Sequence, residues 1–359
     1  MRSFLDFEAM LRIAVIGCGL ISRFHIPAIQ GCNIPTRIAA LVDTNIEKAE
    51  AAAARLDSKP KPRVFGCVTE ALEWGEFEAT DVLLPHDLHE TVALQCLHAG
   101  KHVLLEKPLA HTQDSCERLL QAAEEVTREK ATVFMVAENA QYWPEVVHAK
   151  QLVREGKIGE LYYAKAHYWE SLMTSAFSDD YKDTPDKIDW KFDAKRVGGG
   201  VLVDGSTHWL RPLRMWMGEV EEVVGVTGYD SHKAIQGESM ANALIRFKSG
   251  KCAEFEGLVT QAAVNIRPFF RLFGQMGEIT IDGSFSGGMT LYNHEHPKGL
   301  AITNLGGFLA SYQPEIDDFV SAIVNRSAPK ASARHALGEL EIAWAIYRSV
   351  ESKRWEKVN

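Results

Sequence analysis

Residues 11–27 read LRIAVIGCGLISRFHIP. Ile13, Ala14, Val15 and Ile16 form a short apolar run of the length and β-branched content of a buried strand. The run stops at Gly17-Cys18-Gly19, and a helix-like pattern follows. A glycine at 17 allows a sharp turn. A glycine at 19 carries no Cβ, so a pyrophosphate can approach the main chain there. The helix behind the turn points its unpaired N–H groups and positive dipole end at that phosphate. Gly17, Gly19, Leu20 and Ile21 are the expected phosphate-side contacts. Ser22 takes the third small-residue position of the pattern, where close packing of helix on strand is needed.

A second strand, Ile38–Val42, ends in Asp43, which lies 24 residues after Gly19. The usual spacing to a ribose-binding acid is about 20 residues. A carboxylate there accepts hydrogen bonds from the ribose hydroxyls and repels a 2′-phosphate. Asp43 therefore favours NAD over NADP.

The same rhythm continues outward from this unit. Arg63–Phe65, Asp81–Leu84, His102–Glu106 and Thr132–Val136 read as strands. Asn45–Leu56, Thr69–Trp74, Leu88–Ala99 and Thr112–Lys130 read as the intervening helices. Alternation of this kind specifies an α/β domain with a doubly wound parallel sheet, whose ligands sit beyond the carboxyl ends of the strands. Past Ala137 the texture changes. Pro144–Glu155 reads as a helix and Tyr162–Trp169 as an alternating strand. Ser171–Lys195 is polar, aromatic and irregular, which suits a loop over a pocket. Glu222–Thr227, Ala241–Phe247, Cys252–Gly257, Phe269–Phe273 and Gly277–Ile281 follow as strands without long helices between them, which predicts a large open mixed or antiparallel sheet. Glu315–Val324 and Ala336–Ser352 are closing helices. The expected division is a dinucleotide-binding domain at 1–138 and a substrate-binding and oligomerisation domain at 139–359, with the terminal helix packing back on the first.

Composition fits this reading. The 359 residues are 46% hydrophobic and 24% charged, with a net charge of −9. That charge argues against nucleic acid or an anionic membrane as the main partner. The six cysteines (18, 32, 67, 96, 116, 252) are scattered without metal-type spacing, as expected of free thiols in a reducing cytoplasm. The first ten residues lack the apolar segment of a signal peptide, and no run is long enough to span a membrane. A cytoplasmic location is expected.

Three positions carry candidate chemistry. Lys107 follows the strand ending in Glu106, at the carboxyl edge where a cofactor lies. Asp204 and His208 have i, i+4 spacing, so one helix would show both on one face. Gly198-Gly199-Gly200 precedes them and would let the backbone approach a flat ligand. Oxidising a secondary alcohol needs a hydride acceptor and a base for the hydroxyl proton. His208 has the proton affinity for that base. Asp204 either orients it or holds a second hydroxyl. Lys107 either stabilises charge on the reacting oxygen or is itself the base.

With these residues in view, the chain resembles the glucose–fructose oxidoreductase / inositol dehydrogenase / rhizopine-catabolism (Gfo/Idh/MocA) family over nearly its whole length. The resemblance rests on Ile16–Gly19, His89, Ala99–Val103, Glu106–Ala110, Gly159, Gly198–Gly200, Asp204 and His208. It implies a Rossmann domain followed by an α/β domain whose open sheet frames a sugar pocket and joins copies into a homodimer or homotetramer. It implies Lys107, Asp204 and His208 as the catalytic set. Three stretches depart from the family pattern. Leu84-Pro85-His86 replaces a Thr-Pro-Asn-like turn and sets Pro85, His86 and His89 beside the cofactor with Glu106 and Lys107; His86 is either a ligand contact or a loop residue. Ala137–Tyr142 (AENAQY) replaces a stretch that usually ends in Arg-Phe. Arg211 stands where many relatives have an acid. Tyr142, Trp169 and Trp190 are the expected substrate contacts, and Tyr168, Trp169, Tyr181 and Trp190 are either a stacking surface for a sugar or core packing. His294 and His296 are read as loop residues, and no metal is expected.

The activity expected is hydride transfer between NAD and a ring secondary alcohol of a carbohydrate, cyclitol or glycoside, with C3 of a glucoside as one such position. NAD-assisted glycosidic cleavage with a retained cofactor is the rival, and a non-catalytic cofactor sensor a third reading.

Overall fold

Apolar strands flanked by helices on both sides bury both of their faces, and the first sheet is built this way. The computed structural model describes residues 10–171, 190–264, 269–282 and 287–359. The chain forms two compact units, Met1–Ala137 with Tyr312–Ala336, and Glu138–Ser311 with Leu337–Asn359.

In the first unit, β1 (Leu11–Ile16), α1 (Ser22–Gly31), β2 (Thr36–Val42), α2 (Ile46–Arg55), β3 (Arg63–Phe65) and α3 (Val68–Trp74) form one half. The other half is β4 (Ala79–Val82), α4 (His89–His98), β5 (His102–Glu106), α5 (Gln113–Lys130) and β6 (Phe134–Ala137). The strand order is β3-β2-β1-β4-β5-β6, and every pairing is parallel. The order reverses between β1 and β4, which makes the ends of those strands the natural ligand crevice. Ile13 to Ile16 and Val103 to Leu105 are almost wholly buried, as their uninterrupted apolar sequence requires. Thr112 caps α5 in a reciprocal bond with Ser115, which fixes where that helix starts.

The second unit begins at α6 (Pro144–Arg154) and β7 (Leu161–Ser171), then three short helices, α7 (Ala194–Val197), α8 (Val201–Asp204) and α9 (Thr207–Met217). Its strands continue as β8 (Val220–Gly228), β9 (Met240–Phe247), β10 (Cys252–Thr260), β11 (Phe270–Gly274), β12 (Gly277–Ile281), β13 (Gly288–Asn293) and β14 (Leu300–Thr303). α10 (Tyr312–Asn325), α11 (Ala333–Ser352) and β15 (Glu356–Lys357) end the chain. The described residues form a nine-stranded sheet in the order β14-β13-β12-β11-β7-β10-β9-β8-β15. Only β7 and β10 pair in parallel; the other neighbours are antiparallel. Alternate residues of β9 (Ala241, Ala243, Ile245, Phe247) and β10 (Ala253, Phe255, Val259) are buried, so one sheet face holds the core. Trp143 sits at its centre, edge-on to Trp209, Phe270 and Phe308 at 5.6–6.2 Å between ring centroids.

Three expectations change. β13 and β14 extend the sheet beyond the strands read from the sequence. The helix that returns to the first unit is α10, not the terminal helix, most of which belongs to the second. Asp204 and His208 do not share one helix: α8 stops at Asp204, and α9 starts at Thr207. The break falls at Gly205, against which the Tyr168 ring is packed so closely that a Cβ would lie 2.2 Å from it. No helix among the described residues is long and apolar enough to cross a membrane.

Candidate active site

The glycine turn is assembled from strand ends. Gly17 has a φ of +100°, and a Cβ there would lie 2.2 Å from the carbonyl oxygen of Leu83 beyond β4. Only glycine fits that approach. At Gly19, by contrast, no atom lies within 4 Å of where a Cβ would project, so this point of the turn is open. The Ser22 hydroxyl donates to the Gly19 carbonyl at 2.6 Å and closes the turn onto α1. The first turn of α1 carries no acidic side chain, so nothing in it neutralises the helix N-terminus next to Leu20 and Ile21. Asp43 ends β2 half-buried, accepting from the Cys18 amide at 2.9 Å and the Asn45 amide at 2.8 Å. Each oxygen keeps lone-pair capacity for a further donor. An open glycine turn, a bare helix N-terminus and a pre-oriented carboxylate fit a dinucleotide.

Several of the residues expected beside the cofactor after β4 and β5 are buried. Pro85 leads into a short turn in which His86 is almost fully buried. His89, read as a cofactor contact, is wholly buried, with Nδ1 2.8 Å from the Pro108 carbonyl and Nε2 2.8 Å from the Leu84 carbonyl. Burial pulls its proton affinity below the usual imidazole value. The single N–H of the neutral ring donates to one of these two carbonyls, and the buried ring stands as a brace between the two loops. Glu106 is buried too, its carboxylate 3.7 Å from His25 Nε2. Lys107 follows, half-buried, at the carboxyl end of β5.

His25, which the sequence did not single out, anchors this edge. It lies on α1, fully buried, with Nδ1 3.0 Å from an Asp81 oxygen on β4. Burial lowers its proton affinity, but the charge and hydrogen bond of Asp81, helped by Glu106 and Glu315, reverse this and hold it well above the usual imidazole value. The stabilisation this gives is complete below the unfolded value, about pH 6.5, and is lost as pH rises through the raised folded one. Thermal melts across neutral and alkaline pH should therefore show stability falling on the alkaline side. In His25→Asn that slope should disappear; an identical slope in the variant would remove His25 as its source.

The second unit holds the other expected site residues, His208 and Asp204. The ring of His208 is held by Glu138, with Nδ1 2.5 Å from Oε1. Glu138 is 1% exposed, and the Ala140 amide also donates to it, at 3.2 Å. The His208 side chain keeps 13% of its surface open. The carboxylate that orients His208 is thus Glu138 and not Asp204. Asp204 lines a small pocket with Tyr168, Glu170, Lys191, Phe192 and Ile235. Tyr168 stacks on Trp209 at 4.3 Å and donates its hydroxyl to Glu170 at 2.8 Å. Trp169 and Trp190 are half-buried, and the Lys191 ammonium lies 5.9 Å over the Trp190 ring. Tyr142 is buried in the turn Asn139–Tyr142 and is not an open contact surface. Tyr181 and most of the aromatic loop, with the first nine residues, lie outside the described residues.

One further expectation is corrected. The triple glycine does not open the backbone to a ligand: a Cβ at Gly200 would lie 2.0 Å from the Glu238 carbonyl oxygen, so the chain itself occupies that approach. Glu238 accepts from the Leu202 amide and the Tyr347 hydroxyl, each at 2.8 Å, and so fixes the start of α8. Arg211, on the α9 face away from solvent, is ion-paired with Glu339 at 2.8 Å. His294 and His296 lie in the turn after β13, and no cluster of metal-ligating side chains occurs among the described residues.

Two family models match the chain: an oxidoreductase family with an NAD-binding Rossmann fold over residues 11–135, and the GFO/IDH/MocA C-terminal domain over 146–280. The chain belongs to the Gfo/Idh/MocA oxidoreductase family. As a Gfo/Idh/MocA oxidoreductase it is an NAD-dependent enzyme. The chain is similar to levoglucosan dehydrogenase of Pseudarthrobacter phenanthrenivorans, 24% identical over 97% of this chain and 98% of that one. It is 34% identical to inositol 2-dehydrogenase 2 of Saccharopolyspora erythraea over 42% of each chain. Among solved structures, levoglucosan dehydrogenase in complex with NADH and levoglucosan superposes with a TM-score of 0.84 at 21% identity, covering 97% of this chain and 99% of that one.

Proposed function

We propose that this Gfo/Idh/MocA enzyme is a dehydrogenase of a ring secondary alcohol in a carbohydrate, cyclitol or glycoside. The observation that carries the reading is the arrangement around His208: its Nδ1 is engaged by a buried carboxylate, which leaves Nε2 as the nitrogen for proton transfer. Asp204, four residues before His208 at the end of the preceding short helix, lines a polar and aromatic pocket of sugar-binding character. Similarity to enzymes named for levoglucosan and inositol supports the same substrate class.

In this reading Gly17, Gly19, Leu20 and Ile21 bind the cofactor pyrophosphate and Asp43 the adenosine ribose. Bound NAD supplies the hydride acceptor. His208 takes the hydroxyl proton through Nε2. Lys107 donates a hydrogen bond to the same oxygen and stabilises the charge that develops on it. Asp204 accepts from a neighbouring hydroxyl and fixes the ring. The first unit is the cofactor unit and the second the substrate unit. The open face of the nine-stranded sheet, with Tyr162, Val226 and Leu244 more than half or half exposed, is the proposed contact between copies.

The test is near-ultraviolet absorbance of reduced nicotinamide during addition of a panel of sugars, inositols, levoglucosan and aryl glucosides. The expected result is continuous NADH formation with one substrate class, with little activity on NADP, and a keto product at C3 if the substrate is a glucoside. A signal that rises once and stops would replace the dehydrogenase reading with a retained-cofactor cycle. Light scattering on the same preparation is expected to give a dimer or tetramer.

A further inference from the structure

The stretch Ala137–Tyr142 departs from the family pattern, and its second residue is the one that reaches His208. Glu138 ends the run out of β6 and enters a turn, Asn139–Tyr142. Its Oε1 receives both the Ala140 amide and the His208 ring, which holds the carboxylate on the side of its own chain. The His208 ring is held in turn by aromatic neighbours, edge-on to Phe308 at 5.9 Å and to Trp209 at 6.3 Å. A ring confined on its faces and engaged at Nδ1 has one nitrogen left to act.

Charged groups on α9 and α11 stand around this pair. Arg211 on α9 reaches Gln141 of the same turn at 3.3 Å and pairs with Glu339 on α11. Arg214 pairs with Glu339 as well as with Glu219. The negative charge of Glu339, which stands within electrostatic range of Glu138, is thereby matched by two guanidinium groups. Asp204 is the remaining nearby carboxylate, on α8, and it faces the pocket.

We propose that Glu138 is the positioning residue for the base of this enzyme: its buried carboxylate, 2.5 Å from His208 Nδ1, keeps a proton on Nδ1 and so presents the Nε2 lone pair to the substrate hydroxyl. The proposal rests on the reading of His208 as the base. Its physical content is a change of tautomer. A free neutral histidine prefers its proton on Nε2, which would make that nitrogen a donor and useless as a base. A carboxylate at Nδ1 inverts the preference. It also stabilises the imidazolium formed when Nε2 takes the substrate proton, as in other carboxylate–histidine pairs.

The experiment is nitrogen-15 NMR of histidine-labelled enzyme in its NAD complex, with the His208 signals identified by their loss in His208→Gln. The expected result is the Nδ1–H tautomer in the wild-type neutral ring, and the ordinary Nε2–H tautomer in Glu138→Ala. Turnover with the panel alcohol that reduces NAD should fall about 10- to 100-fold in kcat with KM little changed. A merely structural role would leave the tautomer unaltered. Glu138→Gln keeps the shape of the side chain without its charge; if Glu138→Ala does not fold, the fall in kcat with KM little changed is read in that variant instead. An Nε2–H tautomer in the wild type, or an unchanged tautomer and an unchanged kcat in the variants, overturns the proposal. Undiminished turnover in His208→Gln overturns the reading of His208 itself, and the two failures are thus told apart.

Discussion

Replacing Lys107 by alanine should lower the hydride-transfer rate about a thousandfold while leaving NAD affinity within about twofold of the wild type. The size of the effect follows from the assigned role: a positive donor on an oxygen that becomes anionic has no counterpart in water within a desolvated site. The separation of rate from binding follows from the local scaffold. Glu106 on one side is tied to His25, and Pro108 on the other gives its carbonyl to the His89 ring. Removing the Lys107 side chain therefore leaves the backbone of that edge in place. The phosphate turn and Asp43 stand on β1 and β2, and neither depends on the lysine. Stopped-flow absorbance gives the rate, and quenching of protein fluorescence gives the affinity. A variant within a fewfold of the wild-type rate would take Lys107 out of the chemistry.

The largest stability effect is expected at Arg211. Its side chain and that of Glu339 are both essentially removed from water. Arg211→Met leaves Glu339 with a single guanidinium partner, Arg214, which also serves Glu219. Breaking a buried pair by removing one member costs about 3–5 kcal/mol, because the other charge stays desolvated. For a unit of this size that corresponds to a drop in Tm on the order of 10 °C. Adding Glu339→Met should recover much of the loss, since Arg214 retains Glu219 and the two methionines fill comparable volume. Urea titrations of the single and double variants measure both terms. A single-variant loss below about 1 kcal/mol would mean that water reaches Glu339 and that the pair is not a closed one.

What could be read from the sequence had local causes. Strands buried on both faces, such as Ile13–Ile16 and Val103–Leu105, announce themselves by continuous apolar residues. β9 and β10 do so by clean alternation. β14 is a mostly exposed edge of four residues, and nothing in its composition demands a sheet. The break between α8 and α9 was invisible because Gly205 keeps near-helical angles, φ −100° and ψ −29°, and what ends α8 is a Tyr168 ring from a distant strand. The same division holds in the site. The glycine turn, Ser22 and Asp43 act over short stretches with fixed spacing. Glu138 and His208 are 70 residues apart, and His25 and Asp81 are 56 apart, so neither pair leaves a spacing signal. Gly198–Gly200 gave a signal with the wrong cause, since a glycine required by the chain's own Glu238 looks the same in sequence as one required by a ligand.

α10 gives the order of synthesis a consequence for the cofactor unit. Tyr312 stacks on Phe24 at 5.2 Å and meets His25 edge-on, while Asp317 receives the Asn33 amide at 2.8 Å. The outer side of α1, the helix behind the glycine turn, is thus finished by residues made after Glu138–Ser311 of the second unit. A nascent chain that has emerged only through β6 holds all six parallel strands but lacks the helix that covers α1. The first unit therefore completes its fold only after residues 138–311 have been synthesised, and a fragment cut after β6 would expose Phe24 and the buried His25 to water.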